Sequence, residues 1–424
     1  MNAMVSLDRL RQLSAQIRER LWVRPLAVCL LSIGAVFTAS IFDSTGLGPF
    51  VPITSDSIET LLSIMAASML VIATFSVASM VSAYAAASST ATPRAFTLII
   101  ADDASQNALS AFVGAFIFSV VALTAVKNGY FETAGLFVLF VMTALVFSMV
   151  IFTFVRWVDG IARLGRMAST IDKVEQATAE ALARRRNAPT LYGAVVRAEP
   201  DGLPMFAAKI GYLQHINMSA LQAWAATANA RLTVAALPGT FVTPERPLVY
   251  VSDCAESLSD YDFGPVIESF QIGTARRFDD DPRFGLVVMS EIAGRALSPA
   301  VNDPGTAIDI VGRLVRLLHL WCEPAPVQAG AGLLYERVEV AEISLRDMFD
   351  DAFTAIARDG AGHVEVAVRL QKALCSLAAI GDETARDAAN YHSRLALQRC
   401  KIALDMPQDL AVVRAAARFS AGGE

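Results

Sequence analysis

The hydrophobic pattern divides the chain in two. Long uncharged runs recur at 26–42, 60–92, 104–126 and 133–155. A bilayer core takes about 20 apolar residues of helix to cross, so the pattern predicts four transmembrane helices. The first run is slightly short, and its opening turn takes in residues 23–25. The second is longer than a bilayer needs, so it either tilts or projects beyond it. Residues 127–132 predict a tight hairpin between the last two runs, with Tyr130 and Phe131 as interface anchors.

The period then changes. Ile161, Leu164, Ala168, Ile171, Val174, Thr178 and Leu182 recur at threes and fours, which predicts a helical stalk over 159–188. Its seam either packs against another subunit or lays an amphipathic helix on the following domain. Arg184, Arg185 and Arg186 either touch anionic headgroups or terminate the helix. Short strand-like segments around the Pro238-Gly239 turn predict a small β-rich module over 189–255. It is reminiscent of biotinyl-lipoyl-like modules, but no modifiable lysine sits at a hairpin tip, so no swinging-arm chemistry follows. Residues 256–424 read as mainly helical, with breaks at Gly360, Gly381 and Pro407 in a bundle that offers oligomer contacts. The tail 420–424 is expected to fray. The predicted fold class is integral membrane α-helical, with four transmembrane helices over 25–158 after a cytoplasmic segment 1–24. An α+β cytoplasmic domain follows, helical at its C-terminal end.

Composition agrees. Of 424 residues 54% are hydrophobic and 18% charged, with mean hydropathy +0.46. Residues 1–158 hold eight Lys/Arg and eight Asp/Glu, and the remainder holds 27 and 33, which places the whole net charge of −6 there. An acidic soluble part excludes nucleic acid as the expected partner, because phosphates need a basic surface. The Lys/Arg asymmetry sets the orientation. Arg9, Arg11, Arg18, Arg20 and Arg24 precede the first run, none occurs over 43–57, and Arg156, Arg163, Arg166 and Lys173 follow the fourth. Both termini are therefore expected in the cytoplasm, with Trp22 and Trp157 at the inner interface. A cleaved signal peptide fits poorly: the charged region before the first run is 24 residues long, and Asp43 follows without an A-x-A site. Five scattered cysteines without a CxxC predict no disulfide framework, and four histidines without ligand spacing predict neither metal nor cofactor.

Two patterns are candidates for function. In the second run Ser68, Phe75, Ser79, Ser82 and Ala86 fall within an arc of about 60°. Such a stripe either lets helices pack closely or lines a watery path through an oligomer. No charge lies inside any run, so an ion-coupled carrier site draws no support. Farther on, Arg276, Arg277, Asp279, Asp280 and Asp281 precede one predicted helix, and Ser298, Asn302, Asp303 and Thr306 precede the next. Asp281-Pro282 and Asp303-Pro304 each read as an N-cap followed by proline at the first helical position. Alternatively these groups converge on an anion, a cation or a polar ligand. No nucleophile–base pair, P-loop, glycine-rich dinucleotide turn or HExxH is present, so enzyme chemistry has weak support.

Several segments carry a resemblance: Thr92-Pro-Arg94, Gly211-Tyr-Leu-Gln214, Pro238-Gly-Thr-Phe-Val242, Gln271-Ile-Gly273 with Arg276 and Arg277, Asp281-Pro282 with Phe284-Gly285, and above all Ala296-Leu-Ser-Pro-Ala-Val-Asn-Asp-Pro-Gly-Thr-Ala307. With these the chain resembles the bacterial membrane proteins catalogued as domain of unknown function 2254. The resemblance implies a four-span membrane part with a cytoplasmic domain, in the bacterial inner membrane, and no established activity. Where those proteins usually have Ser before the Pro-Arg, this chain has Thr92, which keeps a capping hydroxyl. The function expected is a homo-oligomeric ion channel or pore-like protein of the lipid bilayer, with a cytoplasmic assembly domain. The alternative is a membrane-anchored sensor or scaffold that binds a ligand or partner through that domain.

Overall fold

The computed structural model describes residues 23–43, 53–90, 92–95, 98, 103–163, 167–196, 199, 202–253, 261–323 and 333–417. The expected segment 1–24 and the tail 420–424 lie almost wholly outside them. The chain forms two units, Met1–Thr170 and Ile171–Glu424.

The first unit is built of α1 (Val23–Asp43), α2 (Ser55–Thr90), α3 (Asp103–Lys127) and α4 (Thr133–Arg163). Its interior is read off at threes and fours: Ile58, Leu62, Met65 and Met69 on α2, then Ala108, Phe112, Ala115 and Phe118 on α3, with Leu139, Val150 and Trp157 from α4. The opposite faces carry Leu31, Ile64, Val71, Leu145 and Phe152 exposed. Apolar groups outside as well as inside are what a hydrocarbon surrounding selects. Polar side chains in the interior are satisfied locally: Ser110, Ser119 and Thr143 donate to the carbonyls of Gln106, Ala115 and Leu139, each at 2.7 Å. Gly114 of α3 lies where a Cβ would collide with Val28 of α1, so a small residue sets this close helix approach.

Among the described residues three helices are long and apolar enough to cross a membrane: Ser55–Ala85, Ser105–Lys127 and Thr133–Ile161. The apolar stretch of α1, Pro25–Thr38, is shorter. The rings of Phe75 and Trp157 meet at 6.1 Å. By the helical rise, Phe75 lies about 30 Å from Ser55, and α2 runs on about 22 Å to Thr90. The expected capping role of the Thr92 hydroxyl is not seen: its Oγ1 is buried and takes no hydrogen-bond partner among the described residues.

The second unit starts within α5 (Met167–Asn187). Ile171, Val174, Thr178 and Leu182 are buried, and Thr178 lies against Gly285 of α8 (Pro282–Ala296). Arg313 of α9 (Pro304–Cys322) bonds Asp172 at 2.6 Å and Glu175 at 2.5 Å. Over 171–182 the seam is thus an amphipathic face packed within its own unit. Beyond it lie two sheets. The first has the order β1-β8-β4-β6-β2, from β1 (Gly193–Val195), β2 (Leu203–Phe206), β4 (Arg231–Val234), β6 (Pro247–Ser252) and β8 (Tyr335–Val340). The second has the order β5-β3-β7, from β3 (Gly211–Ile216), β5 (Phe241–Val242) and β7 (Phe270–Gly273). Strand β8, far along the chain, runs parallel to both β1 and β4, so the first sheet draws on two stretches of sequence. Helix α6 (Met218–Thr227) closes their core with Met218, Leu221 and Ala225, and Asn217 caps it through Ala220 N at 3.1 Å. After α7 (Gly264–Glu268), α8 and α9 come α10 (Leu345–Asp359), α11 (Val364–Ile380), α12 (Glu383–Ala403) and α13 (Pro407–Ala417). Their strongly one-sided hydrophobicity places Phe349, Phe353, Leu370, Leu374 and Leu377 in a helical core.

Leu232 is fully buried at the centre of the first sheet. Leu232→Ala is expected to destabilise the second unit by about 2–5 kcal/mol, read as a lowered urea midpoint of the detergent-solubilised protein.

Candidate functional site

The loop from β7 to α8 ends in Asp281, whose side chain is 3% exposed. Its Oδ1 accepts from the Phe284 amide at 3.2 Å, and Pro282 occupies the first turn. This is the cap that the Asp-Pro pair predicts. Arg276 grips both oxygens of the same carboxylate, Nε to Oδ2 at 2.7 Å and Nη2 to Oδ1 at 3.0 Å. The guanidinium also stands 5.2 Å over the Phe284 ring, which packs on Phe278. The Pro238-Gly239 turn presses on the carboxylate from the other side. Gly239 has φ +92°, and a Cβ there would collide with Asp281. Burial pushes the Asp281 carboxyl up, and Arg276 and the Phe284 amide oppose that shift. Arg277 is half-buried and engaged as well.

The neighbouring residues tie this loop to α5 and to β3, and the arginines of α5 reach two segments more. Arg184 Nη2 donates to the Asp279 carbonyl at 2.7 Å. Asp280 Oδ2 meets His215 Nδ1 of β3 at 2.6 Å. Arg185 is 4% exposed and donates to the Ala341 carbonyl at 3.3 Å. Burial pulls its guanidinium down to about 10, against the fields of Asp280 and Glu342. Arg186 bonds the Leu320 carbonyl and Glu323. The arginine triplet thus lies in the last turn of α5, as the helix-terminating alternative has it, and each of its guanidinium groups bonds a carbonyl of its own unit.

The second half of the predicted constellation lies elsewhere. Helix α8 has 15 residues, so Asp281 and the 297–303 turn sit at opposite ends of it, about 20 Å apart. Asp303 caps α9: Oδ1 accepts from Thr306 N at 3.1 Å and Oδ2 from Thr306 Oγ1 at 2.6 Å. These bonds hold its carboxyl below the usual carboxylate range. Ser298 Oγ donates to the Arg295 carbonyl at 2.7 Å. Asn302 takes φ +49°, with its N–H on the Ser298 carbonyl at 2.9 Å and its side chain exposed. The two groups do not converge on one ligand, because each aspartate serves its own helix start. Two cavities, of about 260 and about 320 Å³, are lined by Arg231, Asp253 and Arg337 and by Arg346, Glu383 and Tyr391; neither includes the predicted ligand residues. Among the described residues no group of three His, Cys, Asp or Glu could hold a metal.

The α2 stripe faces outward. Ser68 and Ser82 are exposed, Phe75 is 62% exposed, and Ser79 is half-buried. Ala86 lies outside the residues whose side chains are described. The buried face of α2 instead runs through Met69, Ala73, Ser76 and Met80, so packing among the described residues accounts for Phe75, which meets Trp157, but not for Ser68 and Ser82. Three features escaped the sequence reading. The His215–Asp280 pair joins residues 65 apart, and Arg185 looks in sequence like a surface cation. Ser76, 0% exposed with no partner for its Oγ, lies one position from Phe75 of the predicted stripe. Of the three, only Arg185 gave a signal, since the buried seam of α5 continues to it at a spacing of three from Leu182.

The family described as Predicted membrane protein (DUF2254) matches residues 18–376, and the chain belongs to that family. Uncharacterized proteins of Mycobacterium tuberculosis strain CDC 1551 / Oshkosh, Mycobacterium bovis and Mycobacterium tuberculosis strain H37Rv are each 35% identical over 117 residues. That segment is 27% of this chain and 22% of each relative, so the chain spans less than a quarter of the length of the curated relatives it matches. No solved structure matches it.

Arg276→Met leaves the Asp281 carboxylate buried and alone, and is expected to destabilise the second unit by about 3–5 kcal/mol. A carboxyl whose folded pKa lies above its unfolded one stabilises the fold when protonated and loses that contribution as pH rises. The loss on Arg276→Met should therefore be larger near pH 8 than near pH 5. Asp303→Ala removes a cap worth about 1 kcal/mol, and the sign is opposite. A depressed carboxyl stabilises above its unfolded pKa and loses this as pH falls, so the difference from the parent protein should shrink in acid. Urea titrations of both variants across pH check both directions.

Proposed function

We propose that the chain is a four-span protein of the bacterial inner membrane that assembles as a homo-oligomer around α2 and forms an ion channel or pore. The carrying observation is the outward face of α2, where Ser68 and Ser82 are exposed among the described residues and Phe75, in edge contact with Trp157, still leaves 62% of its surface open. Hydroxyls on a lipid-facing helix gain from a second helix or from water. The fourth span is α1: its 21 residues reach about 31 Å, enough to cross a hydrocarbon core. The Lys/Arg asymmetry supports placing both termini, and the second unit, on the cytoplasmic side. If Trp157 marks the inner interface, the stripe divides. Ser68 stands within the bilayer and Phe75, level with Trp157, at its inner boundary, while Ser79, Ser82 and Ala86 belong to the part of α2 that continues beyond it as a vestibule.

The sensor reading draws no support from Asp281 and Asp303, which both serve as helix caps. The channel reading predicts an oligomer by native mass spectrometry of the detergent-solubilised protein and ion flux in proteoliposomes. Ser68→Leu is expected to cut that flux roughly tenfold or more, by narrowing and drying the path. A monomer without flux under any ion gradient overturns the reading.

A further inference from the structure

Two turns of the second unit, 207–210 between β2 and β3 and 243–246 between β5 and β6, are brought to one tip by strand pairing. Gly211 faces Val242, Tyr212 faces Phe241, and Phe206 faces Pro247. The tip exposes what the rest of the unit buries. Ile210 is 65% exposed, Phe241 47% and Phe206 38%, and Tyr212 stacks edge-on against Phe241 at 5.1 Å. Phe241 is not a misplaced core residue: along β5 it alternates with Val242, which is fully buried.

The charges of the tip point the same way. Lys209 is exposed and makes no ion pair among the described residues. Arg246 is exposed and, among the described residues, donates only to the Phe241 carbonyl, at 3.4 Å. Glu245 is the one acid on the two turns. Across 171–424, by contrast, there are 25 Lys/Arg against 32 Asp/Glu. The tip is thus a small basic, aromatic patch on an acidic unit.

We propose that this tip docks on an anionic lipid surface, with Phe206, Ile210 and Phe241 at the boundary between headgroups and acyl chains and with Lys209 and Arg246 among the phosphates. Amphipathic aromatic rings and snorkelling basic stems are the chemistry that suits this layer. The negative surface potential of such a membrane attracts the two unpaired cations and repels the acidic remainder, which orients the unit. The chain belongs to a membrane-protein family and carries membrane-length helices, so a bilayer stays at high effective concentration and a small patch suffices. A second copy would meet the same apolar side chains, but it brings an acidic surface without selectivity for lipid charge.

The test is hydrogen–deuterium exchange of the full-length protein in nanodiscs of phosphatidylcholine alone and of phosphatidylcholine with phosphatidylglycerol. Amides over 207–210 and 243–246 should exchange roughly threefold or more slowly in the anionic discs, and the slowing should fade with added salt. Lys209→Gln with Arg246→Gln should remove the lipid-charge dependence, and Ile210→Ser with Phe241→Ser should remove the slowing altogether. Unchanged protection of β4 and β6 certifies that each variant is folded; if the serine pair fails that control, the glutamine pair carries the test alone. Equal exchange in both kinds of disc overturns the proposal, as does protection that follows the number of protein copies per disc.

Discussion

A single buried carboxylate organises the second unit. Asp281 starts α8, receives the Arg276 fork and supports the Gly239 turn. Through these contacts the three-stranded sheet, the β7–α8 loop and the helical core meet at one point. Its desolvation is unfavourable in itself, and the arrangement holds because the carboxylate is matched by a planar guanidinium and a backbone amide at once. The left-handed turn at Gly239 is a consequence, since only a residue without Cβ lets the chain pass so close.

The arginines around it act as internal clamps. Arg184 and Arg186 reach carbonyls nearly a hundred residues or more away, and Arg185 is buried with its charge opposed by desolvation. Arg313 does the same between α5 and α9. Multiple fixed donors on a planar group suit Arg to carbonyls at segment ends. The exposed basic groups of the 207–246 tip differ in kind, because among the described residues no carboxylate pairs with Lys209 or Arg246.

In the first unit the governing condition is that every backbone polar group be satisfied within its own helix. Long apolar helices follow from that, and so do the serine and threonine hydroxyls turned back on their own carbonyls. Packing is then left to shape. Gly114 admits α1, the aromatic group of Phe75, Phe112, Phe154 and Trp157 fixes the relative level of α2, α3 and α4, and Ser68 and Ser82 remain among the exposed apolar side chains of α2.

The membrane-length helices, the helix caps at Asp281 and Asp303 and the helical C-terminal part were legible in the sequence. Each is a local matter of apolar run length, Asp-Pro chemistry or period. Family membership was legible too, because its motifs are continuous segments. Side-chain direction and long-range pairing were not. Strand β8 enters the first sheet between β1 and β4 from residue 335, and no local pattern specifies its partner. The two halves of the polar constellation looked adjacent in sequence, yet α8 holds them apart by its own length. The α2 stripe had a definite angular position but no sign, since the direction of a helix face depends on what its neighbours bury. Sequence alone thus determined the long apolar helices, the Asp-Pro starts of α8 and α9 and that several helices suit a bilayer. Only the tertiary structure decided which charges face inward, because burial and ion pairing are properties of residues distant along the chain.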